Sequence, residues 1–406
     1  MNQHFARISR IRRYVIATAL LSALVLVPAA VMAQSSTATH FKVIHTFNNL
    51  KQGAQSSTSP IRDKAGNLYG TTEAGGDLSC ECGVVFKIDP SGHESVLHKF
   101  TGEDGATPIA ILALDAAGNL YGATQLGGKN GNNGNVFKVA ADGHFTVLYA
   151  FKGGTDGTNP WHGSMVVDKA GNVYGTAHNV YKVTPGGHET VLHNFTASEG
   201  INPIGVVQDA AGNFYGAGNE GGAYGLGTVW KLAKNGTLTV LHSFAGGSTD
   251  GAYPNNGVIV DKQGNVYGNA TGGGAAGCPT LIIGCGVVYK VSPSGEETIL
   301  HFFTPDGVDG FWPTDEPALD NSGSLYGTTL YGGNYVEYPC DGLGCGVVFK
   351  IDPSGKTETI LHGFTGGKDG GVFLNAGVVL DANENVYGNT SEFGNFGLGT
   401  IFKITQ

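Results

Sequence analysis

The residues of this chain with the plainest capacity for chemistry are five aspartates that each precede a glycine: Asp104, Asp156, Asp250, Asp309 and Asp369. Glu199 takes the same place before Gly200. Carboxylates repeated at one structural position could face a common point. There they would hold a divalent cation such as Ca2+, bind a cationic or sugar ligand, or serve as acid and base. An Asp before a Gly also tightens a turn, because its side chain accepts backbone N–H groups close by in the chain. The turn is the simpler use: no loop carries the alternating acids of a calcium-binding segment, and isolated pairs fall short of the roughly six to eight oxygens that Ca2+ takes. No cofactor is therefore expected. A divalent cation is what these acids would take if they gathered at the mouth of an axial channel.

Histidine recurs too, at positions 45, 98, 193, 242, 301 and 362, with Tyr149 once in its place. In Val96-Leu97-His98-Lys99-Phe100 the imidazole shares a strand face with Val96 and Phe100. A hydrogen-bonded structural role is expected, and the Tyr replacement agrees with it. Six histidines on separate outer strands could not gather round one metal. The six cysteines, Cys80, Cys82, Cys278, Cys285, Cys340 and Cys345, read as disulfides in an exported chain. Cys278 with Cys285 and Cys340 with Cys345 would each close a long insertion, while a Cys80–Cys82 bridge spans a single residue and is strained. Their spacing is not that of a tetrahedral zinc set. No nucleophile elbow, metalloprotease helix, phosphate loop or dinucleotide motif is present. A pair of acid/base carboxylates needs no motif. An extracytoplasmic hydrolase or lyase using Asp156, Asp250 and Asp309 at the channel mouth is therefore the alternative function.

What positions these residues is a repeat. The phrase DAAGNLYG at 115–122 returns with variants ending at Tyr69, Tyr174, Tyr215, Tyr267, Tyr326 and Tyr387. An aromatic-Lys pair follows each, and then a close of the form Val-Leu-His-x-Phe. Short apolar runs between turns, in a chain with 67 glycines, predict four strands per unit. In the second unit they are predicted at 109–114, 120–123, 135–139 and 145–151. Seven such units make an all-β, seven-bladed β-propeller. Its blades are expected at 60–100, 108–151, 160–195, 203–244, 254–303, 313–364, and 373–404 plus 41–47. The chain opens on a fourth-strand sequence at 41–47 and stops on a third-strand one at 400–404. The N-terminal strand is thus expected to complete the last blade and close the ring, hiding both sheet edges, and residues 34–406 to form one domain. The repeated Tyr and the aromatic before each Lys should fill the layers between blades. The Lys would point to the other face, its amine in water or on a carboxylate.

Residues 1–33 read as a signal peptide, with Arg7, Arg10, Arg12 and Arg13, an apolar run over 14–27, and Val31-Met32-Ala33 before the cleavage point. An apolar run of about 14 residues is short for a bilayer core. No second run of spanning length follows, so no stable membrane insertion is expected after cleavage. The formal charge is −10; without the four leader arginines it is about −14, which offers no electrostatic footprint for nucleic acid. A secreted, periplasmic or cell-surface protein is expected.

The loops between second and third strands vary most and are longest in the fifth and sixth units. They carry Tyr224 in one and Tyr331, Tyr335 and Tyr338 in another, an aromatic and polar surface suited to a glycan or protein partner. The ordered recurrence of Gly70, Gly75-Gly76, Gly83 and Phe86-Lys87 resembles the tandem repeats of the bacterial GloVer-type exported proteins, over residues 41–404. That resemblance implies an exported propeller-like repeat protein and brings no catalytic residues. The expected function is a secreted, non-catalytic binding or surface-scaffold propeller. Its candidate ligand contacts are the four tyrosines and the crossover aspartates.

Overall fold

The computed structural model describes residues 39–278, 284–304, 308–314, 316–333, 340, 342–371 and 376–406. The leader at 1–33 lies outside them. The described chain forms seven antiparallel blade sheets, the all-β, seven-bladed propeller arrangement, and one two-stranded ribbon of Gly251–Ala252 with Gly272–Gly273. The second blade shows the plan: Ala113–Leu114, Leu120–Thr124, Asn135–Val139 and Phe145–Ala150. Its first strand is shorter than predicted because the preceding residues pair outside the blade. Ile111 bridges in parallel to Ser164 of the third blade, its N–H donating to the Gly163 carbonyl at 3.1 Å. The strand His40–Thr46 pairs antiparallel with Thr400–Thr405, from His40 opposite Thr405 to Thr46 opposite Thr400.

The repeated phrase is a hydrogen-bonded bracket. Asp115 Oδ1 accepts the N–H groups of Ala117 and Asn119, both at 2.9 Å. Its Oδ2 accepts Asn119 Nδ2 at 2.7 Å and the Tyr121 hydroxyl at 3.1 Å. Burial acts to raise this carboxyl's pKa, but those donors outweigh it and hold it below the usual value. Burial, and then the bond to Asp115, push Tyr121 up to about 12. The bracket recurs at Asp63, Asp168, Asp209, Asp261 and Asp381, and at Asp320 with Ser324 in place of Asn.

Register explains the Tyr-Gly and Phe-Lys pairs. Tyr121 stands opposite Lys138 and Gly122 opposite Phe137, so Tyr and Phe line opposite faces. A Cβ on Gly122 would come within 2.3 Å of Phe137 Cζ; the glycine makes room for the ring. The lysine faces away from its neighbouring aromatic, as expected, and the tyrosine lies on the lysine's face rather than with that aromatic. Lys138 Nζ lies 5.6 Å from the Tyr121 ring centroid, and the other six blades repeat the contact.

The core lies between blades. The phenylalanine closing each unit packs against the third-strand aromatic of the next: Phe47 on Phe86, Phe100 on Phe137, Phe151 on Tyr181, Phe195 on Trp230, Phe244 on Tyr289, Phe303 on Phe349 and Phe364 on Phe402. Centroid separations run from 5.0 to 5.4 Å in these steeply inclined pairs. Hydrogen bonds add to this, as from Thr71 Oγ1 to the Pro108 carbonyl at 2.7 Å and from Thr328 Oγ1 to Ala376 at 2.8 Å.

Candidate functional site

The crossover acids and the recurrent histidines, separate series in the sequence, meet in space. Each acid turns back onto the N–H of the residue after its closing Phe: Asp104 on Thr101, Asp156 on Lys152, Glu199 on Thr196, Asp250 on Ala245, Asp309 on Thr304 and Asp369 on Thr365. Its second contact is the histidine of the same blade's outer strand. His98 Nε2 lies 2.9 Å from Asp104, His193 3.3 Å from Glu199, His242 3.3 Å from Asp250, His301 3.1 Å from Asp309 and His362 3.3 Å from Asp369. Where Tyr149 replaces the histidine, its hydroxyl donates to Asp156 at 2.5 Å. Burial raises the Asp104, Asp250 and Asp369 carboxyls, but the bonds from histidine and turn win and hold them below their ordinary value. The acids therefore do not form one carboxylate ring; each is engaged in its own blade.

Two of these pairs gain a third partner from the next blade. Glu297 opens the outer strand Glu297–Phe302, and its Oε2 lies 3.5 Å from His242 Nε2. Glu358 opens Glu358–Gly363, and its Oε2 lies 3.6 Å from His301 Nε2. Burial, then the neighbouring Asp250, push Glu297 up to about 9; burial and Asp309 do the same to Glu358.

A group that the sequence did not signal lies where the inner strand ends meet. Glu316 Oε1 accepts the Ser164 hydroxyl at 2.7 Å and its Oε2 accepts the Ser164 N–H at 3.2 Å. Ser164 belongs to the third blade and Glu316 to the sixth, and a contact across three blades is available only near the propeller axis. The fifth blade approaches as well, since a Cβ on Gly257 would sit 2.3 Å from Glu316 Oε2. Burial raises Glu316 to about 7 against the opposing Ser164 bonds, although part of the residue's surface stays exposed. Glu316 stands four residues before Asp320 of the turn bracket, where the other units carry Ser59, Ile111, Ser164, Gly205, Gly257 and Gly377.

Of the loop tyrosines, Tyr224 is held in the open at 64% exposure. Tyr331 instead ends the strand Leu325–Tyr331 and packs on Phe311 and Trp312, at centroid distances of 5.5 and 5.7 Å. The expected loop residue is a packed strand residue. Tyr335 and Tyr338 lie outside the described residues. Phe396, which the sequence reading passed over, is exposed at 59%. The cysteines pair as Cys80–Cys82, Cys278–Cys285 and Cys340–Cys345. Among the described residues no helix is long and apolar enough to cross a membrane.

The fold defines a seven-bladed β-propeller whose blades are copies of one hydrogen-bonded phrase. The chain belongs to the Gloeobacter/Verrucomicrobia repeat family, whose pattern matches residues 30–180 and 179–402. No curated protein matches it in sequence. Among solved structures it is similar to the extracellular domain of the hybrid two-component system BT3049 from B. thetaiotaomicron. The TM-score is 0.54 at 12% identity, over 90% of this chain and 41% of that one, so the chain spans less than half of that relative. It is also similar to a gluconolactonase from Xanthomonas campestris (TM-score 0.42, 15% identity, 88% of each chain) and to a luciferin-regenerating enzyme (0.46, 12%, 91% and 95%). The first of these likenesses shows the fold, and none assigns an activity.

Proposed function

We propose that the protein is an exported binding propeller that grips an extracellular glycan with the loops between its second and third strands. One observation carries this reading: the same loop, built twice, holds an aromatic ring out in solvent. In Gly222-Ala223-Tyr224-Gly225-Leu226-Gly227 and Gly394-Asn395-Phe396-Gly397-Leu398-Gly399 the leucine bridges back, to Gly221 and Phe393 respectively. Glycines with φ between 74° and 104° flank the ring in both. A lone flat ring on a stiff turn suits stacking on a sugar face, whereas a protein partner would call for a contiguous apolar patch. The crossover acids lend a hydrolase little support, being taken up by turn N–H groups and histidines. Export is supported by the charged and apolar pattern at 1–33 and by the pairing of every described cysteine.

The N-terminal strand His40–Thr46 serves in this reading as the latch of the ring. Phe41 stacks on His362 at 3.7 Å and 7°, as Phe145 of an ordinary fourth strand stacks on His98 at 3.4 Å and 3°.

Screening the protein against immobilised polysaccharides and glycans tests the proposal. A glycan should be retained, and Tyr224→Ala or Phe396→Ala should each weaken its binding about tenfold, the loss of ~1.4 kcal/mol. Retention of a protein alone, or glycan binding indifferent to both changes, would refute it.

A further inference from the structure

We propose that two blade interfaces are divalent-cation sites of the zinc class, one made by His242, Asp250 and Glu297 and the other by His301, Asp309 and Glu358. This is independent of the loop face. In each trio one atom per side chain is available as a ligand, and these atoms all lie within 4.8 Å of one another. The histidine nitrogen is 3.3 and 3.5 Å from its two carboxylate oxygens at the first site, and 3.1 and 3.6 Å at the second. A tetrahedral ion with bonds of ~2.0–2.2 Å has ligand-to-ligand edges of about 3.3–3.6 Å. One ion therefore fits with small adjustments. One imidazole and two carboxylates suit Zn2+, with water in the fourth position; Ca2+ takes more oxygens than the trio offers.

Glu opens the outer strand in four blades, at 94, 189, 297 and 358, but only the last two complete a trio of His, Asp and Glu, and three observations favour an ion there. The slot held by Glu297 and Glu358 is filled by Phe145 in the second blade, where its ring stacks on His98, and by Leu238 in the fourth. An acid is thus not needed to hold blades together there. Glu297 Oε1 and Glu358 Oε1, like Glu94 Oε1 and Glu189 Oε1, are buried without a hydrogen-bond partner, a costly state that a bound cation on the carboxylate would relieve where the trio is complete. The aspartates are also pre-oriented. Asp250 accepts the Ala245 and Gly251 N–H groups at 2.7 and 2.6 Å, and Asp309 accepts the Thr304 hydroxyl at 3.0 Å. Two other interfaces come close but are one ligand short: Tyr149 replaces the histidine beside Asp156 and Glu189, and His45 faces Glu94 with no crossover Asp in its loop. Each ion would join two blades, taking His and Asp from one and Glu from the next.

The test is isothermal titration of the chelator-treated protein with ZnCl2, alongside CoCl2 titration read by visible absorption. Two Zn2+ per chain are expected, one in Glu297→Gln or Glu358→Gln, and none in the double variant. The Co2+ protein should show the visible bands of a four-coordinate site and lose them in the double variant. Circular dichroism and metal-free melting confirm that the variants, which keep the shape of the side chain, are folded. A wild-type protein that takes up no Zn2+, a stoichiometry unmoved by either substitution, or preference for Ca2+ would overturn the assignment.

Discussion

Replacing Glu316 by Gln should change how the protein's stability depends on pH. The carboxyl sits between Ser164 and Gly257 near the axis, and burial lifts it from an ordinary 4.5 to about 7. A carboxyl raised in the folded state binds its proton more tightly there than in the unfolded chain. Folding stability is then full below about pH 4.5, falls as the pH climbs, and reaches its floor above about pH 7. Raising a carboxyl that far separates the two protonation states by about 3 kcal/mol. Part of the side chain remains open to solvent, which lowers the expected effect to about 2–3 kcal/mol. Glutamine is neutral at every pH, still offers Ser164 an acceptor, and matches the protonated acid in shape. Wild type and Glu316→Gln should therefore melt together at pH 4.5, with the variant about 3–4 °C higher at pH 8 for a chain of this size. The assay is thermal melting by circular dichroism across that range. Other titrating groups are common to both proteins, so the difference isolates Glu316. Melting curves that stay parallel from pH 4.5 to 8 would show that the carboxyl titrates as it does in water, and the described burial would be wrong.

The remaining predictions use the same readouts. Gly257→Ala should cost about 1–3 kcal/mol, because its Cβ would meet Glu316 Oε2; in a Glu316→Ala background the penalty should shrink below ~0.5 kcal/mol. Asp115→Ala strips four acceptor contacts from one bracket and should cost about 2–3 kcal/mol by urea denaturation; a loss under ~0.5 kcal/mol would mark the bracket as ornamental. Phe41→Ala should cost about 2–3 kcal/mol, less than a fully buried Phe because its ring is only half-buried. Proteolysis should then begin at the N-terminal strand.

How far the sequence was legible follows the distance between interacting residues. The bracket was readable because Asp115, Asn119 and Tyr121 lie within one phrase, and an Asp turn reaches only that far. Blade number and the closing phenylalanines were readable because each copy repeats its neighbour. The lysine does face away from its neighbouring aromatic, but the tyrosine was misplaced because the exact register decides its face: a one-residue offset puts Lys138, rather than Phe137, beside Tyr121. The crossover acids were visible and read first as turn caps, which they are; their histidine partners were missed, although the clue was present. Each follows its His or Tyr by six to eight residues, and where the histidine becomes Tyr149 the spacing to the acid is retained.

Glu316 marks the opposite limit. Its partner Ser164 is 152 residues away, and no local pattern couples them. What singles it out is position within the repeat, as the acid at a place otherwise given to Gly, Ser or Ile. The two trios are singled out differently: Glu94 and Glu189 share the slot of Glu297 and Glu358, but only at the latter two do a histidine and a crossover aspartate come with it. In a protein made of seven copies, the shared residues account for the fold, and a residue that breaks the copy without a structural need is where function is to be sought. By that test the departures are Glu316 at the axis and the exposed rings of Tyr224 and Phe396. All of them can be removed without touching the bracket or the closing Phe, so their loss should separate binding from folding.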